Sequence, residues 1–136
     1  MRASYSRIYI HLIWATWDRL DLIDDKLEPI LYGYISKKCR QRNGLLLQIG
    51  GTPNHIHLLV KLLPAINIGQ FVKNINGSSS HYIAQIIRPD SFFKWQGGYA
   101  AISVSPIHLS KISMYVAAQK EHHKMNSCNK DWEFSK

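Results

Sequence analysis

The segment LLLQIGGTPNHIHLLVKLL, residues 45–63, constrains the fold more than any other part of the chain. Two apolar runs flank the short turn GGTPN, so Leu45–Gly50 and Asn54–Leu63 read as the antiparallel strands of one hairpin, and Pro64 closes the second strand. Upstream, residues 4–17 (SYSRIYIHLIWATW) are rich in β-branched and aromatic side chains and place Ile8, Ile10, Leu12 and Trp14 on one face, which predicts a first strand. Between them Leu27, Ile30, Leu31, Tyr34, Ile35 and Lys38 recur at helical spacing as far as the basic cluster KKCRQR and Gly44, with Pro29 tolerable in the first turn.

Downstream, Ile68, Phe71, Val72, Ile75, Tyr82, Ile83 and Ile86 keep a helical period. Its soft centre, Gly77 and Ser78–Ser80, is a place for a bend or for the close approach of a partner. FFKW and YAAISVS then read as short strands around the turn QGG. Ser105 as N-cap and Pro106 at the first helical position start a third helix, expected to run from about Pro106 to Lys124 and to leave residues 125–136 as a polar tail. The order predicts an α+β fold, a ferredoxin-like (RRM-like) sandwich: one antiparallel sheet, two helices on one face, and a C-terminal helix placed elsewhere. A chain of 136 residues closes one core, so a single domain spanning 1–136 and a single site are expected.

With 46% apolar and 19% charged residues the chain has the balance of a folded domain. No apolar run reaches the roughly 18 residues of a membrane span and the N-terminus does not read as a signal peptide, so no membrane association and a cytoplasmic location are expected. Cys39 and Cys128 lack metal or redox spacing and read as free thiols. Seventeen Lys and Arg against nine Asp and Glu leave a net charge of +8, which favours a polyanionic partner.

On the second hairpin strand a side-chain period of two puts His55 and His57 on one face and Ile56 and Leu58 on the other. Two converging imidazoles can bind a divalent metal; a lone His-x-His more often reads as a pair on a solvated sheet face. On the third helix His108, Tyr115, Gln119 and His122 stack along one flank, so Gln119 can offer a missing oxygen ligand and Tyr115 a nucleophilic phenol. Among the other tyrosines, Tyr82 sits on an apolar stripe, Tyr99 reads as a strand residue that shapes the site, and Tyr9 as packing beside His11. His122 and His123 follow Gln119 closely enough to touch a metal's surroundings or a phosphate.

From about Tyr9 to His123 the chain resembles the single-tyrosine transposases of the HUH endonuclease superfamily, the small insertion-sequence and REP-associated proteins. Their mark is His-hydrophobic-His on a central strand followed by a helix bearing Tyr-x-x-x-Gln, and here His55-Ile56-His57 and Tyr115-Val116-Ala117-Ala118-Gln119 match it. The resemblance implies that His55, His57 and Gln119 hold Mg²⁺ or Mn²⁺, and that Tyr115 attacks single-stranded DNA to leave a 5′-phosphotyrosine and a free 3′-OH. It further implies recognition of hairpins at element ends, and a homodimer whose active sites can be shared between chains. Arg2, Arg7, Lys37, Lys38, Arg40, Arg42 and Lys73 are the candidates for DNA phosphates. A histidine-triad hydrolase lacks its third histidine, since positions 53 and 59 are Pro and Leu, and no RNP signature supports an RNA-binding module. The alternative is a domesticated relative of RRM-like fold that binds hairpins without cutting.

Overall fold

The structure, a computed structural model, describes residues 4–124, 128, 132 and 133. Its regular elements are β1 (Ile8–Ala15), α1 (Leu27–Gln41), β2 (Gly44–Thr52), β3 (His55–Leu62), α2 (Ile68–Tyr82), β4 (Ala100–Val104), α3 (Leu109–Ala117) and α4 (Gln119–Lys124). The four strands form one antiparallel sheet in the order β2-β3-β1-β4, the ferredoxin-like arrangement expected from the element order.

Both faces of the central strands are covered. Ile10, Leu12 and Trp14 of β1 and Ile56, Leu58, Val60 and Leu62 of β3 pack with Leu27, Leu31 and Ile35 of α1 and Phe71, Val72 and Ile75 of α2. The other face carries Tyr9, Leu59 and Val104, which pack with Ile112 and Val116 of α3. In the register Ile13 opposes His57 and Ala15 opposes His55, so the histidines stand on the α3 face.

What lets α3 come so close is Gly50. It pairs with His57 across β2 and β3, and a Cβ placed on it would lie 2.0 Å from the backbone oxygen of Val116. The neighbouring Gly51 has the same constraint within the hairpin, where a Cβ would lie 2.3 Å from the carbonyl oxygen of His55. Both glycines of the GGTPN turn are therefore sites of backbone approach.

Several local expectations change. Helix one ends at Gln41, the chain leaving it through Asn43, whose φ of 64° is the left-handed conformation that stops a helix, and Gly44 instead opens β2. Ile30 stays 41% exposed, while Cys39 takes the buried position of the last turn. On helix two a Cβ added at Gly77 would meet nothing within 4 Å, and the partner in the soft centre is Ser79, fully buried, whose Oγ accepts from Trp95 Nε1 at 2.9 Å. That helix ends in a π turn, Ile83–Ile87, which leaves Ile86 exposed. FFKW is no strand; Trp95 alone bridges to Thr16.

The third helix departs most. Pro106–His108 is a 3₁₀ turn, Ser105 makes no side-chain cap, and the helix breaks at Ala118, where φ is −101° and ψ is 27°. A single continuous helix from Pro106 to Lys124 is thus replaced by α3 and α4. Cys39 and Cys128 are free, as expected. No helix among the described residues is long and apolar enough to cross a membrane.

Alanine at Gly50 should overpack the β2–α3 contact and cost about 1–3 kcal/mol, read as a lowered unfolding midpoint. Gly33 in α1, with open space around its missing Cβ, is the matched control, and Gly33→Ala should stabilise by roughly 0.5–1 kcal/mol.

Candidate active site

Strand alternation delivers His55 and His57 side by side, with ring centroids 5.2 Å apart, and both are almost wholly buried under α3 and α4. The break at Ala118 then turns α4 so that His123 reaches them: its Nε2 is 3.1 Å from His55 Nε2. Glu133 enters between the rings, with Oε1 3.0 Å from His57 Nε2, 3.6 Å from His55 Nε2 and 3.5 Å from His123 Nε2. Four donor atoms from His55, His57, His123 and Glu133 thus lie within 4.8 Å of one another. Donors about 2.0–2.2 Å from a tetrahedral ion stand roughly 3.4 Å apart, close to the separations of 3.0, 3.1, 3.5 and 3.6 Å above, so the group could hold a divalent cation. Three imidazoles and one carboxylate suit Mn²⁺ or Zn²⁺ better than Mg²⁺.

Tyr115 flanks this group. Its ring is edge-on to His57 at 6.0 Å, stacks on His122 at 4.5 Å and meets Trp132 at 4.9 Å, and its hydroxyl donates to Glu133 Oε2. One carboxylate therefore spans the imidazoles and the phenol. Gln119 is fully buried one hydrogen bond further back, its Nε2 donating to the Tyr115 carbonyl at 3.1 Å and its Oε1 lying 3.2 Å from His123 Nε2. The site is completed by a second line of support, since His57 Nδ1 is 2.8 Å from Nε2 of the buried His11, and His55 Nδ1 is 2.9 Å from Thr52 Oγ1 and from Asn54 Oδ1.

Burial disfavours charge on these rings. It pushes His55 down to about 3 and His11 to about 4, with neighbouring imidazoles adding to the effect, and lowers His57 as well. All three are neutral near pH 7, the state in which imidazole offers a lone pair. For Glu133 burial acts upward but is outweighed by the hydrogen bonds from His57 and Tyr115 and the nearby imidazoles, which bring it down to about 2.

Tyr115, His55, His57 and Gln119 are thus brought together within one chain. His108 instead belongs to the 3₁₀ turn. Tyr82 stacks on Tyr34 at 4.2 Å, and Tyr99 lines a separate cleft between α2 and the loop before β4. The cationic candidates are dispersed. Lys37, Lys38 and Arg40 close α1 and Arg42 follows it, on the sheet face away from α3; Lys73 lines the cleft of Tyr99 with Lys94; Arg7 sits over the Tyr9 ring; Arg2 lies outside the described residues. Trp132, Glu133 and the role of His11 were not foreseen. Alternation in YIHLIW groups His11 with Tyr9 and Ile13, and only the register that sets Ile13 opposite His57 brings it to the histidine face, whereas a lone WE pair in a polar tail announces nothing.

The model of the family described as "Transposase IS200 like" matches residues 4–119. The chain belongs to the IS200-like transposase family. DNA transposition is accordingly its class of activity and DNA its class of substrate. Two solved structures resemble this IS200-like transposase in fold. One is a candidate transposase from Deinococcus radiodurans R1, 24% identical, with a TM-score of 0.70 over 85% of this chain and 93% of that one. The other is a REP-associated tyrosine transposase bound to a REP hairpin, 15% identical, with a TM-score of 0.66 over 98% of this chain and 79% of that one. No curated protein sequence matches the chain.

The depressed histidines set a pH dependence. Below 6.5 the unfolded chain takes up protons that the folded His11 and His55 refuse, so stability is fully present above that value and is lost as the pH falls toward 4 and 3. Glu133 adds a second loss between 4.5 and 2. Thermal unfolding of the metal-free protein should show a midpoint that drops between about pH 7 and pH 4; a flat midpoint there would contradict the buried neutral cluster.

Proposed function

We propose that this IS200-like transposase cleaves and rejoins single-stranded DNA by transesterification at Tyr115, through a 5′-phosphotyrosine. The observation that carries the proposal is the shared carboxylate: Glu133 joins the Tyr115 hydroxyl to the His55, His57 and His123 donor group. His55, His57 and Gln119 are assigned as the metal ligands, Mg²⁺ or Mn²⁺ being the ion, with His123 and Glu133 as further donors. Gln119 would offer the ion its Oε1, which here lies 3.2 Å from His123 Nε2. A bound divalent ion draws charge from the scissile phosphate and orients it for in-line attack.

The chain's own residues do the rest. Glu133 holds the phenol by its proton, and the rings of His122 and Trp132 clamp the tyrosine so that its oxygen points at the donor group. As the Tyr115 oxygen bonds to phosphorus the bond to the 3′ oxygen breaks; the phenol proton passes to Glu133 and from it to the departing oxygen, which ends as a 3′-OH and leaves Glu133 a carboxylate again. Because the phosphotyrosine keeps a phosphodiester, a 3′-OH can reverse the step and join a new end without ATP. Hairpin ends are the proposed targets, supported by the fold shared with a hairpin-bound relative.

We read the protein as a homodimer, with Lys and Arg positions such as Arg7, Lys37, Lys38, Arg40, Arg42 and Lys73 tracking DNA phosphates. In this structure Tyr115 stands beside its own His57, which favours a site built within one chain. Mixing Tyr115→Phe with His57→Ala chains should then restore no cleavage; restored cleavage would show that protomers share sites.

The direct assay is incubation with Mn²⁺ and an oligonucleotide carrying a hairpin and a 5′ single-stranded flank. An SDS-resistant protein–DNA adduct is expected from the native chain and none from Tyr115→Phe, which should keep hairpin affinity. Binding without any adduct would favour the non-cutting alternative, and free hydrolysed ends a different nuclease chemistry.

A further inference from the structure

A cleft of about 440 Å³ lies between α2 and the loop before β4, on the helix-covered side of the sheet away from α3. Its size is that of a small-ligand site, roughly 300–1,000 Å³. Gly69, Lys73, Gly77 and Ser80 recur at helical spacing along one wall, so a single stripe of α2 faces the opening. Lys94, Trp95, Gly98 and Tyr99 belong to the other wall, and no acidic residue is among the described residues that line it.

Gly77 is the anomaly. A glycine inside a helix is costly relative to alanine, and at Gly50 the missing side chain is explained by a neighbouring backbone that takes its place. At Gly77 a Cβ would meet nothing within 4 Å, so no part of the described chain claims that space. Gly33 is equally open but stands on α1, outside this cleft. What a side chain at Gly77 would fill is the cleft itself.

The opposite wall is held in advance. Trp95 bridges to Thr16 and donates from Nε1 to Ser79 Oγ at 2.9 Å, Gln96 N donates to the Ala15 carbonyl at 2.9 Å, and Gly98 turns the chain with a φ of 92°. Tyr99 follows, 37% exposed, with its hydroxyl 3.4 Å from where a Cβ on Gly69 would lie, so it reaches from the loop to α2. Lys94 Nζ stands 4.1 Å from the ring centre of Trp17, which is 40% exposed. Lysines and exposed aromatic rings together hold a single-stranded nucleotide, the charge taking its phosphate and the ring face its unstacked base.

This wall is fastened to the end of the sheet at which His55 stands. Thr16 follows Ala15, which opposes His55, and its N–H donates to the Asn54 carbonyl at 2.9 Å; Trp17 N–H donates to the Lys94 carbonyl at the same distance. We propose that the cleft takes one unstacked base from the single-stranded flank of the DNA, stacked on Tyr99 with Lys73 and Lys94 on its phosphates, the strand crossing that end of the sheet from the tyrosine site. The assignment rests on the single-stranded substrate proposed above and not on the cutting chemistry.

The test measures binding by the full chain carrying Tyr115→Phe to the hairpin oligonucleotide, with abasic residues replacing the flank nucleotides one at a time. One flank position should show an affinity loss of about fivefold or more, the worth of one stacked base. Tyr99→Ala and, separately, Gly77→Leu should weaken the intact strand by that factor and erase the further loss at that position, whereas Tyr99→Phe should bind and respond as Tyr99 does. Gly77→Leu should act without lowering the unfolding midpoint, since its side chain enters open space. Lys73→Gln combined with Lys94→Gln should reduce the single-strand salt slope by about 1.4.

A flat abasic scan, or a position whose loss survives in Tyr99→Ala or in Gly77→Leu, would overturn the proposal. A changed salt slope over a flat scan also overturns it, as the mark of a surface that only tracks phosphates. The two levels are separable: an adduct on the native chain together with a flat scan removes the cleft alone, whereas no adduct with the flank position intact removes the tyrosine chemistry and leaves the cleft.

Discussion

Everything functional on the α3 face depends on the absence of one side chain, at Gly50. The Val116 carbonyl occupies the space a Cβ would take, directly across the sheet from His57. That contact lowers the tyrosine helix onto the strand, and Tyr115, the residue before Val116, is thereby brought level with the histidines. A larger residue would lift the helix and separate phenol from imidazole, although neither takes part in the contact. The glycine-rich turn thus serves the chemistry as well as the hairpin.

Once seated, the helix buries three imidazoles that burial keeps neutral. Such a group is costly unless its nitrogens have partners, and apart from His11 Nδ1 the structure supplies them in sequence: His11 behind His57, Thr52 and Asn54 behind His55, and Glu133 in front. The carboxylate is drawn to the place where the nitrogens converge and where a cation would be held. The same oxygens orient the phenol, so ion, nucleophile and phosphate would meet on one short chain of contacts.

Much of this was legible in the residues. The hairpin, the two helices on one face and the paired histidines follow from periods of two and of 3.6, and Tyr115 and Gln119 were placed together because a helix repeats every turn. The limits are physical. Projection assumes a straight helix, whereas His108 falls in a 3₁₀ turn before α3 and the break at Ala118 turns α4 so that His123, one of the two histidines expected near the site, meets His55. Gly50 reads as a turn glycine, because a close backbone approach from a helix far along the chain, at Val116, leaves no local mark. His11 was visible only as an alternating residue, since its value lies in a hydrogen bond to a neighbouring strand. Trp132 and Glu133 act through contacts across the fold with no periodicity to betray them.

The claim on which the whole account stands is that His55 and His57 face a common cation beside the Tyr115 hydroxyl. Anomalous diffraction from crystals soaked in Mn²⁺ measures it without reference to activity. A single peak within about 2.0–2.3 Å of both Nε2 atoms, with the phenol on its open side, is the predicted result. Metal found elsewhere, or none at saturating Mn²⁺, would contradict it.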